Sequence, residues 1–272
     1  MNKVFKRILL ITALFCINSW LYANPVVNKK PKLYTIVIGI GEYPNANFSL
    51  KYAKNDATVI YNRLKQQIGS QDIEGNIKLL NTPEQTTKVA IQKTFAQMQS
   101  QIKIDDIFIL YIAGETGNIE EQYYLLTSKT KDFSIEQLKS TGLSVTELKK
   151  LIVQMSATRK LVLVDTSMSD SLMKATDLFA QHKGMQCKSG LILTAGHYII
   201  SEGFRGHSLF NYAVLDAFSG IADQNKNGFI ESNELAQYVE AAIPMIAKQA
   251  FNRQQIPYID RCGGNLKLKN IQ

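Results

Sequence analysis

The sequence predicts an α/β protein with a mostly parallel central sheet covered by helices on both faces. Two observations carry this. Continuous apolar runs rich in Val, Ile and Leu recur along the chain, the pattern of strands buried on both faces. Between them, apolar residues repeat at helical spacing, and strands alternating with helices build a parallel sheet. Composition agrees: of 272 residues, 45% are hydrophobic and 20% charged. Those values exclude a disordered or collagen-like chain.

The first strand is the run Leu33-Tyr-Thr-Ile-Val-Ile-Gly-Ile-Gly41. Leu50, Ala53, Ala57, Ile60 and Leu64 then follow helical spacing, and a second short strand fits residues 76–80. Thr82-Pro83-Glu84-Gln85 has the order of a helix start, with a capping Thr, Pro at the first position and Gln at the third. The buried face of that helix is Ile91, Phe95, Met98 and Ile102. A third strand covers residues 107–112, and residues 123–126 suit a short extra one. Ser144 and Glu147 form a capping box ahead of Val145, Leu148, Ile152 and Met155. Further strands are expected at 161–164 and 191–194, and helices at 208–219 and 232–246. In such sheets sites form beyond the carboxyl ends of the strands. That directs attention to Ala113–Gly117 and Asp165–Asp170.

Residues 1–23 have the three parts of a secretory signal: Lys3, Lys6 and Arg7, then the apolar stretch 8–17, then a more polar end closing on Leu21-Tyr22-Ala23. The apolar stretch is shorter than the roughly 20 residues that cross a bilayer. The expectation is therefore cleavage and export, periplasmic or secreted, with no stable membrane span afterwards. Residues 24–32 read as a leader, and 33–272 as the folded domain. The formal charge is +8, and removing the three signal cations leaves +5. The basic residues are scattered, and no basic element interleaved with aromatics marks a nucleic-acid partner. After signal removal Cys187 and Cys262 remain. In an oxidising compartment they either pair or stand as two independent buried thiols, and the sequence leaves both readings open.

The segments Ile36-Val-Ile-Gly-Ile-Gly-Glu-Tyr43 and Leu50-Lys-Tyr-Ala-Lys-Asn-Asp-Ala57 resemble the opening of caspase-like cysteine peptidases, in their bacterial and metacaspase-like branch. Asp105–Gly114 resembles the strand that ends in Gly-His-Gly there, and Leu161–Ser167 the strand that ends in Asp-x-Cys-His-Ser-Gly. Tyr124-Leu-Leu, Gly142-Leu-Ser144 and Gly206-His-Ser-Leu-Phe210 fall in consistent order, so the likeness spans residues 33–268. It implies a three-layer caspase-like sandwich. It also implies that Glu115 and Ser167 stand where the family carries its catalytic histidine and cysteine. Imidazole titrates near neutrality and a thiolate forms readily there, which neither replacement does. Asp56 and Asp165 match acids that line an Arg- or Lys-accepting pocket in that branch. The alternative is that Asp56 braces local backbone and Asp165 closes a strand end.

Residues 223–234 fit a twelve-position EF-hand loop. Asp223, Asn225 and Asn227 hold positions one, three and five, and Gly228 sits at the sharp turn. The Phe229 carbonyl, Glu231 and Glu234 complete an oxygen set for Ca²⁺. Asn227 in place of an acid lowers the charge, and a similar stretch serves caspase-like bacterial proteins as a loop between helices. The resulting expectation is an exported, catalytically silent caspase-like protein that binds a peptide or protein partner, basic or extended in kind. An Arg/Lys-directed endopeptidase using unusual residues and a calcium-dependent structural module are the alternatives.

Overall fold

The computed structural model describes residues 30–66, 68, 73–119, 122–167, 187–196, 199 and 203–270. The expected signal lies outside them, as does most of the leader. Six strands form the central sheet in the order β10-β8-β7-β3-β1-β2. They are β1 (Leu33–Gly39), β2 (Gly75–Leu80), β3 (Ile107–Ala113), β7 (Arg159–Asp165), β8 (Ser189–Thr194) and β10 (Tyr258–Gly263). All neighbours run parallel except β10, which pairs antiparallel with β8 at one edge. Every residue of β1 and β8 is buried, as their unbroken apolar runs require.

Side chains alternate across this sheet, so each face supplies one core layer. Ile36, Ile38, Phe108, Leu110, Ile112, Val162 and Val164 pack on one face. They meet α2 (Lys88–Gln99) through Ile91, Phe95 and Met98, and α4 (Val145–Val153) through Leu148 and Ile152. Val37, Ile109, Tyr111, Leu161 and Leu163 point the other way. They pack against α1 (Ala53–Lys65), α5 (Leu209–Asp216) and α6 (Ser232–Phe251). The result is the three-layer sandwich expected. No helix among the described residues is long and apolar enough to cross a membrane.

Several local expectations need correction. The helix expected from Thr82 begins at Lys88, with Thr87 as its cap accepting the Ala90 N–H. Residues 82–86 make a single closed turn instead, with the Thr86 N–H bonded to the Thr82 carbonyl. Ser128 takes the Pro83 carbonyl with its hydroxyl and the Thr86 carbonyl with its N–H, so a helix continuing from Thr82 lacks those acceptors. A small sheet of β4 (Thr116–Ile119), β5 (Gln122–Leu125) and β6 (Leu143–Ser144) replaces the lone extra strand. A short helix, α3 (Ile135–Thr141), precedes β6. Helix α5 ends at Asp216 and opens into a wide turn over Ala217–Ile221, which Gly220 breaks at φ 117°. Helix α6 continues past residue 246 to Phe251, where Asn252 caps it in the left-handed conformation. The last described strand, β11 (Lys267–Asn270), pairs with β9 (Phe229–Glu231).

Candidate active site and the adjoining acidic pocket

Strands β3 and β7 are neighbours in register, with Ala113 opposite Asp165. Glu115 and Ser167 each lie two residues past that pair, so the sheet brings them side by side at its carboxyl end. The Ser167 hydroxyl donates to Glu115 Oε1 at 2.6 Å. The same oxygen accepts the Thr116 N–H at 2.9 Å. Thr116, the first residue of β4, donates its hydroxyl to the Ser167 carbonyl at 2.5 Å and lies 2.9 Å from the Ser167 hydroxyl. Behind them the Glu115 N–H reaches the Tyr43 hydroxyl at 2.9 Å, and the Glu115 carbonyl accepts from Leu126. Burial pushes the Tyr43 phenol up, so it stays neutral and hands its proton to the Ile40 carbonyl. Glu115 is thus fixed through side chain and backbone alike.

Asp56 in the first turn of α1 and Asp165 at the end of β7 are both buried and meet at Ser208. The Ser208 N–H donates to Asp56 Oδ2 at 2.9 Å, and its hydroxyl donates to Asp165 Oδ2. Ser208 also caps α5 by accepting the Asn211 N–H at 3.0 Å. Two acids therefore share one helix-capping residue. Burial, aided by the neighbouring Asp56 carboxylate, pushes Asp165 up to about 7, with Ser208 offsetting part of it. Burial also raises Asp56, against the hydrogen bonds from Ser208 and His207. Tyr111, fully buried on β3, points its hydroxyl toward Asp165 without completing a well-aligned hydrogen bond.

His207 Nδ1 lies 2.6 Å from Asp56 Oδ1. A two-residue turn delivers it there: Phe204 and His207 exchange both backbone hydrogen bonds, while Arg205 and Gly206 take φ of 51° and 88°. Two positive φ values in succession define the tight hairpin whose second residue favours glycine. Asp56, Asp165, Glu115, Ser167, Ser208 and Tyr52 all line one cavity of ≈ 210 Å³. The structure thus gathers Asp56, Asp165, Glu115 and Ser167 around one space. Thr116 and Ser208 were not singled out. The signal for Ser208 was its place one residue before an apolar helical stretch, which reads as a cap and says nothing of two distant acids.

The sequence matches the description "Caspase domain" over residues 32–262. The chain belongs to the caspase-domain family. No curated protein matches it in sequence. Its fold is similar to protein GSU0716 from Geobacter sulfurreducens at TM-score 0.56 and 13% identity, covering 86% of this chain and 94% of that one. It is similar also to the Drosophila initiator caspase Dronc at TM-score 0.52 and 10% identity, covering 86% of this chain and 81% of that one. At such identities the likeness speaks for the fold alone.

Away from the pocket of this caspase domain, the 223–234 loop directs its oxygens inward. Asp223 accepts the Asn227 and Gly228 N–H groups, Asn225 accepts from Asn227, and Asn227 from Phe229. Glu234 accepts from Gln224 and Asn225 on one oxygen and from Glu231 on the other. Glu231 itself receives the Asn265 amide. In this conformation three backbone N–H groups converge on the two Glu234 oxygens. No group of three or more His, Cys, Asp and Glu placed to hold a metal ion occurs among the described residues. Cys187 and Cys262 are joined by a disulfide, with Cα atoms 6.1 Å apart.

Proposed function

We propose that this caspase domain has set aside the family's hydrolytic chemistry and serves, outside the cytoplasm, as a binding module for a basic side chain of a peptide or protein partner. The observation that carries the reading is the hydrogen bond from Ser167 to Glu115. A serine becomes a nucleophile only when a base removes its proton in step with attack, and imidazole suits that task by titrating near neutrality. A carboxylate is a weak base toward an alcohol. The imidazole of His207 is engaged by Asp56. By the resemblance, Glu115 and Ser167 stand at the family's histidine and cysteine positions, and the pair holds itself closed. The acids Asp56 and Asp165 remain in the wall of the same cavity. Export accords with the disulfide, since such bonds persist in oxidising compartments.

The test has two arms. Fluorogenic peptides ending in Arg or Lys are expected to show no turnover with the purified protein, beside a Ser167→Ala control. Turnover lost in that control overturns the reading. The same peptides are expected to bind, and Asp165→Asn to weaken binding about tenfold, the scale of one charge-assisted hydrogen bond.

A further inference from the structure

The cavity wall carries a third carboxylate besides the two acids at its floor. Glu115 receives both of its side-chain hydrogen bonds on Oε1. It forms no ion pair with any described residue, and Oε2 takes no hydrogen bond from one. Asp56 is held by Ser208 and His207. Asp165 receives the hydroxyl of Ser208 and no cation from the described residues. Against these three acids the described lining residues offer one lysine, Lys51, exposed, with its ammonium 5.2 Å from the Tyr52 ring centroid. Asp56 and Asp165 in the cavity wall are buried, and carboxylates withdrawn from water are costly unless a cation faces them.

A single monovalent cation matches only one of the three carboxylates. We propose that the pocket is a site for an organic dication: two ammonium or guanidinium groups on one chain, the inner against Asp165 and Asp56, the outer against Glu115. The inference rests on the binding reading above and names its ligand class. A free polyamine and a dibasic peptide segment share this chemistry. The Ser167 hydroxyl and the Thr116 N–H hold Glu115 Oε1 and so leave Oε2 for the outer group. Asp165, pushed up to about 7, ionises more fully at mildly alkaline pH. The groups around it are Asp56 from α1, Tyr111 from β3, and His207 with Ser208 ahead of α5.

Titration calorimetry of the purified protein at pH 8 decides it. The ligands are α,ω-diaminoalkanes of graded length, the matching monoamines, and the peptides acetyl-Lys-Lys-amide and acetyl-Lys-Ala-amide. The best diamine, or the dibasic peptide, is expected to bind at least tenfold tighter than its single-charge partner. Whichever shows the larger gain identifies the source. Glu115→Gln is expected to bring that ratio close to one, while Glu115→Asp, which keeps the charge, retains most of it. Thermal unfolding of each variant checks that it folds. A ratio near one in the unmodified protein, or a tenfold ratio surviving Glu115→Gln, overturns the dication site alone. If neither singly nor doubly charged ligands bind, the basic-pocket reading falls with it.

Discussion

At the floor of the pocket, Ser208 gives its backbone N–H to Asp56 and its hydroxyl to Asp165, so two buried carboxylates depend on one side chain. The consequence for stability follows from the raised Asp165 value of about 7 against the ordinary carboxylate value of 3.8. An acid whose pKa is raised in the folded state contributes stability that is complete below its unfolded pKa and is lost as pH climbs through the folded one. Asn in that place still accepts from Ser208 and never ionises. Asp165→Asn is therefore expected to be more stable than the parent at pH 8, by roughly 2–4 kcal/mol. The gain should shrink to nothing near pH 4. Urea unfolding at both pH values checks it, and a pH-independent difference contradicts the assignment. Asp56 and Asp165 could be named from the sequence through resemblance. Ser208 could not, because its link to Asp165 spans 43 positions and depends on where α5 begins.

At the scale of elements, helix α1 lies so close on β1 that Gly39 has no room for a side chain. A Cβ there would sit 2.4 Å from Ala57 Cβ and 2.6 Å from the Ala53 carbonyl. Gly39→Ala is expected to push α1 away and cost about 1–3 kcal/mol, as overpacking does. Because α1 carries Asp56, peptide binding should weaken in the same variant. Denaturant unfolding and calorimetry on one preparation would show both, and a silent substitution would mean that the contact yields. Capping signals show how far local sequence reaches. Ser144 with Glu147 forms the reciprocal box its spacing announces, with bonds of 2.9 and 3.2 Å. Thr82 has equally good local chemistry, yet Ser128 takes the carbonyls a helix there would need. A competing partner 45 residues away is invisible in a five-residue window.

Across the whole molecule, the disulfide joins Cys187, ahead of β8, to Cys262 on the antiparallel edge strand. Its two cysteines are separated by 75 positions, so the bond removes considerable freedom from the unfolded chain. Loop-closure entropy puts its contribution at about 4 kcal/mol. Reduction, or Cys262→Ser, is expected to lower the denaturation midpoint accordingly, with the change read by urea titration with and without reductant. An unchanged midpoint would show that the unfolded chain is not constrained by the bond. The pairing could not be read from the chain because β10 was not foreseen. Its residues are at most half-buried and lack the apolar run that marks the inner strands.

The sequence by itself determined the sandwich, since β1, β3, β7 and β8 are buried on both faces and must be apolar throughout. It also determined which strand ends matter, and through them the positions of Glu115 and Ser167. The tertiary structure decided what those residues face: Ser167 against Glu115, Asp56 and Asp165 on one serine, His207 turned to Asp56. Burial patterns repeat along a chain and can be read there. Hydrogen bonds between residues 43 to 152 positions apart depend on how distant elements dock, and only the folded chain states that.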